Sequence, residues 1–287
     1  TQNASPSLSK NSHLCSGQIE KLMYSNNDAA TGSSSSSSSN NNSSTKNNKL
    51  NKKSKQLSPN NSDHFQQWSI GTINVRSGKQ GAGKINTIVH EVERANLFIC
   101  ALQELRFPGQ GNSNIAGTKD SYDLYWSGQS KDKKNGVGFL IRDDKKLISD
   151  VEVSYSSKQA DRIMAIEMKV SGYSLKIVTV YSPTNARNTA ASARDAFYCE
   201  LRKFTTTKKH QKLIVLGDFN ADTAVSKTAD PTYFDPVKVK NYYDPAPIQS
   251  NGHRLMSYCY EFNLCISSTF FKHRLLHKKT FYSNCVK

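Results

Sequence analysis

Polar side chains that could bind a metal ion or move a proton follow four separate apolar runs of this 287-residue sequence. Asn74 lies at the exit of the run WSIGTINV, and Glu104 ends LFICALQE. Tyr181 ends LKIVTVY, while Asp218 and Asn220 follow KLIVL in the segment KLIVLGDFNAD. If these runs are strands of packed sheets, the five side chains can meet in one cleft at the strand ends.

The residue types decide what chemistry such a cleft could support. A lone acid at a strand end is more often a solvated turn residue, and a lone tyrosine there is usually a half-buried aromatic. The coincidence at four ends favours a functional site. Two carboxylates, two amides and a phenol, with no cysteine nucleophile and no histidine pair, are ligands that suit Mg²⁺, with Mn²⁺ as a possible substitute.

The charge of the chain indicates the kind of substrate. Lys and Arg number 39 and Asp and Glu 23, which gives a net charge of +16. The first 67 residues hold seven Lys and three acids, so the other 220 residues carry +12. Basic side chains bind a polyanion, while a metal ion stabilises the leaving oxyanion and a carboxylate activates water. The residues therefore predict hydrolysis of a phosphodiester.

The elements that must position these side chains alternate between strands and helices after residue 67. Helical spacing of apolar residues appears at 85–95, 193–204 and 255–262. Strands are predicted at 68–75, 97–104, 122–126, 136–142, 162–170, 175–181 and 212–218, with weaker candidates near 265–270 and 279–283. This pattern predicts an α/β domain in which helices cover packed sheets, a layered sandwich.

Strict alternation along the strands assigns each end residue to a face. It groups Asn74 with Thr72, and Glu104 with Leu102. Asp218 and Asn220 share one side if the chain stays extended. The missing side chain of Gly217 is expected to leave room for a ligand.

Residues 1–67 are predicted to be disordered. Seven consecutive serines, Ser33–Ser39, lie in a stretch with almost nothing to bury. No apolar run approaches the roughly 18 residues that a membrane span needs. Six dispersed cysteines without zinc spacing and a start at Thr1 without a signal segment predict a fragment or processed piece of an intracellular protein, nuclear rather than cytoplasmic. No obligate protein partner is evident, and a monomeric domain is expected.

The segments GTINVRSG, CALQELRFPGQG, GVGFLIR, VYSPT, LGDFNAD and NGHRLMSYCYEFNLCISSTFF resemble, in this order, the endonuclease/exonuclease/phosphatase superfamily. The likeness covers about 68–287 and is strongest to the apurinic-endonuclease-like nucleases of non-LTR retrotransposons and related host proteins. It implies a four-layer α/β sandwich of two packed sheets flanked by helices, which agrees with the count of elements. It also implies Mg²⁺-dependent endonucleolytic nicking, with DNA as the partner.

The resemblance implies a role for each matched position. Asn74 and Glu104 would lie on the metal side, with Glu104 as the metal carboxylate. Tyr181 would contact the scissile phosphate, Asp218 would position or deprotonate water, and Asn220 would bind the phosphate. The nucleic-acid contacts implied by the same match are Arg106, Arg162, Thr184, Asn185, Arg187, Asn251 in an NG turn, and Ser283.

The family pattern also contains a terminal Asp-His pair that this sequence does not match. The chain stops at Lys287 before such a pair, so a domain lacking its last strand is expected, and with it weak or absent nicking. Losing one group that stabilises developing charge costs on the order of 10²–10³ in rate. His253, His273 and His277 have no Asp at the spacing of the pair.

Three alternatives remain open from the sequence. Gly78, Gly83 and Lys84 form G-x-x-x-x-G-K, but Ile85 stands where a P-loop needs Ser or Thr, so a nucleotide-binding protein is disfavoured. A phosphoesterase of the same fold could act on lipids or other small phosphoesters. A catalytically defective nucleic-acid-binding module would keep the cleft as a docking surface. Target preference would depend on the loops at 107–121 and 223–250.

Overall fold

The computed structural model describes residues 22–23, 68–78, 82–129, 134–186, 189–221 and 250–267. Contacts divide the chain into two compact units, Thr1–Leu22 with Ser69–Lys287, and Met23–Trp68. All described residues except Met23 and Trp68 belong to the first unit. The segment predicted to be disordered, 1–67, lies outside the described residues apart from a two-residue strand.

The described residues form two sheets and three helices. The strands are β1 Leu22–Met23, β2 Ser69–Asn74, β3 Ile99–Gln103, β4 Gln110–Ala116, β5 Ser121–Ser127, β6 Val137–Arg142, β7 Ile148–Tyr155, β8 Ile163–Val170, β9 Tyr173–Tyr181 and β10 Lys212–Asp218. The helices are α1 Ala82–Arg94, α2 Ala191–Thr205 and α3 Asn251–Glu261. One sheet has the order β1-β2-β3-β6-β5-β4, and the other has the order β10-β9-β8-β7.

The apolar runs predicted most of these elements. All seven main strand predictions and all three helix predictions are confirmed, with ends that differ by a few residues. Besides the two-residue β1, the sequence missed β4 and β7, which are edge strands with exposed or half-buried residues. β4 is mostly polar, and the short alternating segment VEVSY of β7 was not included in the strand prediction. Of the weak strand candidate near 265–270, the described residues 265–267 form no strand, and 268–270 and the candidate at 279–283 lie outside the described part.

Alternate residues of the strands face different layers. Cys100 and Leu102 of β3 pack in a buried cluster with Val89 and Val92 of α1. Gln103, on the other face of β3, donates from Nε2 to the hydroxyl of Thr179 in β9 at 3.2 Å. The face of β3 opposite α1 therefore lies against the second sheet.

The second sheet is covered in the same way. Val178 and Val180 of β9 pack with Phe197 and Leu201 of α2, and Leu255 of α3 joins the same cluster. The layers are thus α1, first sheet, second sheet, and α2 with α3. The predicted four-layer α/β sandwich is confirmed.

Parallel pairing brings the functional strand ends to one edge of the sandwich. β2 runs parallel to β3, and β9 runs parallel to β10. Strand β10 contacts both β2 and β3, and β9 contacts β3. The carboxyl ends of these four strands therefore lie together, which is where ligands bind in open α/β sheets. Among the described helices, none is both long and apolar enough to cross a lipid bilayer.

Candidate active site

Two carboxylates from different sheets meet at one amide group. Nδ2 of Asn74 donates to Oε1 of Glu104 at 3.0 Å and to Oδ2 of Asp218 at 2.9 Å. Both oxygens lie within hydrogen-bond distance of the same nitrogen atom, so Glu104 and Asp218 are close neighbours although 114 positions separate them in the sequence. The predicted convergence of strand ends is present.

The Glu104 carboxylate accepts hydrogen bonds at both of its oxygens. The hydroxyl of Tyr181 donates to Oε1 at 3.0 Å, and Nη2 of Arg106 lies 2.8 Å from Oε2. Burial alone would raise the pKa of Glu104. The hydrogen bonds from Arg106, Asn74 and Tyr181 oppose burial, and the pKa lies below its ordinary value. Glu104 is therefore a carboxylate at neutral pH.

The alternation that grouped Glu104 with Leu102 was wrong. Strand β3 ends at Gln103, and Glu104 has a φ of 56°, in the left-handed region that non-glycine residues rarely adopt. Leu105, which is fully buried, takes the place in the α1-facing cluster that Glu104 would have had in an extended chain. The left-handed turn at Glu104 thus directs its carboxylate to the junction of the sheets.

A neighbouring loop holds this turn in place. The backbone N–H groups of Leu105 and Arg106 donate to the carbonyls of Gly136 and Asn135 at 3.1 and 2.7 Å. Nδ2 of Asn135 donates to the carboxylate of Asp161 at 2.6 Å, and Asp161 is 3% exposed. The backbone of Glu104 and Arg106, both with positive φ, is therefore supported from a second loop and from the start of β8.

Asp218 and Asn220 are not on one side of an extended chain, as the spacing suggested. Strand β10 ends at Asp218, and Asn220 has a φ of 45°. The N–H of Asn220 donates to Oδ1 of Asp218 at 2.9 Å, and its Nδ2 donates to the carbonyl of Ser182 at 2.7 Å. The turn after β10 orients the Asp218 carboxylate and ties it to the residue that follows β9.

Gly217 makes room for backbone and not for a ligand. It has a φ of 137°, and a Cβ at this position would lie 2.0 Å from the carbonyl oxygen of Val180. The sequence-based interpretation of Gly217 was therefore wrong. Its missing side chain allows β9 and β10 to approach each other next to the site.

Tyr181 is held as a neutral phenol. Burial raises its pKa to about 12, and the negative charges of Glu104 and Asp218 act in the same direction. Nη1 of Arg162 donates to the Tyr181 carbonyl at 3.0 Å, and its guanidinium carbon lies 5.3 Å from the centre of the Tyr181 ring. Arg162, which was predicted to contact nucleic acid, therefore also holds Tyr181 in position.

The segment after β9 contains further predicted contacts. Thr184 and Asn185 are exposed, and the Thr184 hydroxyl lies 3.2 Å from the hydroxyl of Thr189. Asn251 is fully buried in the first turn of α3, not in an exposed turn. Its buried side chain cannot touch a nucleic acid, so its prediction as a direct contact is corrected.

Several predicted features lie where the structure describes nothing. Arg187 and Ser283 are outside the described residues, as is most of the loop at 223–250. The loop at 107–121 contains strand β4. The P-loop-like segment is interrupted at 79–81, outside the described part, and α1 begins at Ala82.

The ligand set fits a hard divalent cation. Among the described residues, no group of three His, Cys, Asp or Glu side chains forms a metal cluster. Mg²⁺ needs fewer protein ligands, because it binds one or two carboxylates and keeps several waters. Glu104 offers a half-buried anionic oxygen, and Oδ1 of Asn74 belongs to the same amide whose Nδ2 bridges the two carboxylates.

Sequence analysis missed Gln103 and Ser182. Gln103 is 1% exposed and accepts from the Thr72 hydroxyl at 3.1 Å while donating to Thr179, so it connects the sheets beneath the site. Ser182 is fully buried, and its N–H donates to the Asp218 carbonyl at 2.9 Å. The signal for Gln103 was an amide inside an apolar run, which a buried strand tolerates only when hydrogen bonds satisfy it.

Comparison with known proteins identifies similar chains. The sequence profile of the Endonuclease/Exonuclease/phosphatase family matches residues 71–238. Craniofacial development protein 2 of Bos taurus is 27% identical over 208 residues, which are 72% of this chain and 32% of the relative. The chain spans about a third of the length of the curated relatives it matches.

Several solved structures are also similar to this chain. An AP endonuclease from Archaeoglobus fulgidus is 17% identical with a TM-score of 0.41, over 67% of this chain and 69% of the other. The endonuclease domain of TRAS1, a telomere-specific non-LTR retrotransposon, is 13% identical with a TM-score of 0.40, over 68% of this chain and 72% of the other.

Proposed function

The chain belongs to the Endonuclease/Exonuclease/phosphatase family, and from this we propose that its site nicks DNA by hydrolysing phosphodiester bonds with Mg²⁺, or with Mn²⁺ in its place. One observation carries the proposal: Glu104 and Asp218, from different sheets, share the Nδ2 atom of Asn74 as a hydrogen-bond donor. A half-buried pair of carboxylates joined by one amide is an arrangement that binds a cation and activates water.

Each side chain has a role that follows from its surroundings. Glu104 and Asn74 would hold the metal ion. Bound there, Mg²⁺ would supply a positive charge that polarises the phosphoryl oxygen and stabilises the leaving oxyanion. Asp218, oriented by the N–H of Asn220, would orient the attacking water and accept its proton. Asn220 would also bind the phosphate.

Tyr181 is suited to donate a hydrogen bond throughout the reaction. Because its pKa is raised to about 12, the phenol keeps its proton at neutral pH. In the absence of substrate its proton is directed at Glu104. A phosphate oxygen that approaches the metal side would compete for this donor, and the hydrogen bond would stabilise charge that develops on phosphorus-bound oxygen.

DNA is proposed as the substrate because most of the net positive charge lies beyond the first 67 residues. Residues 68–287 carry a net charge of +12, and Arg106, 38% exposed, lies directly beside Glu104. The residues proposed to contact the phosphate backbone are Arg106, Arg162, Thr184, Asn185, Arg187 and Ser283. Such contacts bind without reading sequence. A nuclear location would agree with this substrate.

The test combines metal binding with cleavage. Mn²⁺ binding to the 287-residue chain is measured by electron paramagnetic resonance, and cleavage is followed on a fluorescent duplex with enzyme in excess, so that weak activity is detected. Wild type is expected to bind Mn²⁺ and to cleave slowly. Glu104→Gln is expected to lose Mn²⁺ binding, and Asp218→Asn is expected to cleave at least about 100-fold more slowly.

Glu91→Gln on the exposed side of α1 is the matched control and is expected to behave as wild type. Cleavage that survives both site substitutions would overturn the proposal. DNA binding with a strong salt dependence but no Mn²⁺ binding and no cleavage would favour a nucleic-acid-binding module instead. Release of phosphate from a phosphoinositide, with none from DNA, would favour a phosphoesterase of the same fold.

A further inference from the structure

A single buried amide joins the two loops that leave the candidate active site. Asn251 is fully buried, and its Nδ2 lies 2.5 Å from the carbonyl of Pro183, 3.3 Å from that of Phe219 and 3.2 Å from that of Asn220. Pro183 is two residues beyond Tyr181, and Phe219 follows Asp218 directly. The amide therefore bridges the exits of β9 and β10.

The chemistry of the amide fixes its orientation. Three carbonyl oxygens surround one end of the side chain, and only the NH₂ group can face three acceptors. The carbonyl end of the Asn251 side chain then points away from these three oxygens. Its Oδ1 is buried and accepts no hydrogen bond from a described residue. The fold tolerates an unsatisfied buried acceptor in order to keep both donors on the loops.

The backbone of the same residue makes a third connection. The N–H of Asn251 is one of the first N–H groups of α3, which have no partner inside the helix, and it donates to Oδ1 of Asn185 at 2.9 Å. Nδ2 of Asn185 reaches the Asn220 carbonyl at 3.4 Å. The start of α3 thus holds the loop after β9 and the loop after β10 at the same point.

From these contacts we infer that Asn251 is a positioning residue for Asp218 and Asn220. It acts from beneath the site, through the backbone of the loops, and does not touch substrate. The inference rests on the proposed function in so far as Asp218 and Asn220 are the groups being positioned for hydrolysis. A displacement of about 1 Å at a reacting group costs on the order of 10²-fold in rate, so this support has a measurable consequence.

The test compares two substitutions in the same helix. Asn251→Ala removes the bridge. Tyr258→Phe removes the buried hydrogen bond of 2.6 Å between Tyr258 and Thr205, which holds α3 to α2 away from the loops. Both weaken the docking of α3, but only the first acts on the site. Urea unfolding gives the stability of each variant. The two variants are then compared under conditions in which both are folded.

The first readout is the backbone amide resonance of Asn220, whose N–H donates to Asp218, in protein labelled with [¹⁵N]asparagine. This signal needs neither metal nor turnover. In Asn251→Ala the resonance is expected to shift and broaden, whereas in Tyr258→Phe it is expected to stay where it is in wild type. An unchanged resonance in Asn251→Ala, or equal shifts in both variants, would overturn the inference.

The second readout separates kcat from KM in the cleavage assay. Asn251→Ala is expected to lower kcat by 10- to 100-fold with little change in KM, since phosphate contacts outside the loops remain. If Asn251→Ala does not fold, Asn185→Ala takes its place. This substitution removes the contacts of the exposed Asn185 side chain with Asn251 and Asn220 and leaves the Asn251 amide intact. A smaller shift of the Asn220 resonance is then expected. Wild type that cleaves nothing would count against the proposed function alone, and the resonance would still decide the role of Asn251.

Discussion

The hydroxyl of Tyr181, at the end of β9, donates to Oε1 of Glu104, just beyond the end of β3, at 3.0 Å. This bond crosses from one sheet to the other. It shares its acceptor oxygen with Asn74, which also reaches Asp218. Breaking this one contact therefore changes the protonation behaviour of the carboxylate without removing any charged group.

Tyr181→Phe is expected to raise the pKa of Glu104. The hydrogen bond from Tyr181 favours the charged carboxylate, so its loss moves the pKa upward, towards the value that burial favours. The measurement is a pH titration of the Glu104 side-chain carbon by ¹³C nuclear magnetic resonance. Tyr173→Phe is the control, because Tyr173 is 52% exposed and lies at the far end of β9. An identical titration in wild type and Tyr181→Phe would contradict the prediction.

Gly217→Ala is expected to destabilise the fold by on the order of 3–5 kcal/mol, through backbone strain and a collision with the Val180 carbonyl. Gly172→Ala separates the two effects. Gly172 also has a positive φ, 84°, but an added Cβ meets nothing within 4 Å. Its cost is expected to be about 1–2 kcal/mol. Urea unfolding measures both, and equal losses would show that close approach of β9 and β10 does not require glycine.

Glu93→Gln is expected to flatten the loss of stability in acid. The Thr118 hydroxyl and the N–H groups of Asp120 and Lys119 donate to Glu93 and lower its pKa from 4.5 to about 2. A lowered pKa stabilises the fold above the unfolded value of 4.5, and this contribution is lost as the pH falls towards 2. The free energy of unfolding is compared at neutral pH and at about pH 3.

The control for this experiment is Glu91→Gln, two residues away on the same helix, where the carboxylate forms an ion pair with Arg94 in the next turn. It is expected to keep the acid dependence of wild type. Parallel pH profiles for Glu93→Gln and wild type would contradict the prediction, because they would mean that Glu93 has the same pKa in the folded and the unfolded chain.

Much of the fold could be read from apolar spacing alone. Buried strands such as β3 and β9 have long apolar runs because both of their faces are covered, and these runs gave their positions. The edge strands β4 and β7 were not predicted, because they lack long apolar runs. β4 is mostly polar and exposed, so its composition resembles that of a loop, and β7 contains only a short alternating segment, VEVSY, between polar residues.

The candidate site, like the fold, could be predicted only in part from the sequence. The residues that could be selected from the sequence are Asn74, Glu104, Tyr181, Asp218 and Asn220. Each lies at or just beyond the end of a strand, and topology can bring strand ends to a common edge. The direction in which each side chain points could not be predicted from the sequence. It depends on single backbone angles, such as the φ of 56° at Glu104, that contacts from the loop at 134–136 maintain.

Residue types and their order along the chain thus specify which chemistry is available and which strands carry it, because composition and periodicity are local properties. Tertiary structure alone decides that Gly217 admits the backbone of Val180, that Asn251 is buried beneath the loops, and that Glu104 and Asp218 share one donor. The physical reason is that these relationships are contacts between residues tens of positions apart, formed only when the sheets pack and their buried polar groups find partners.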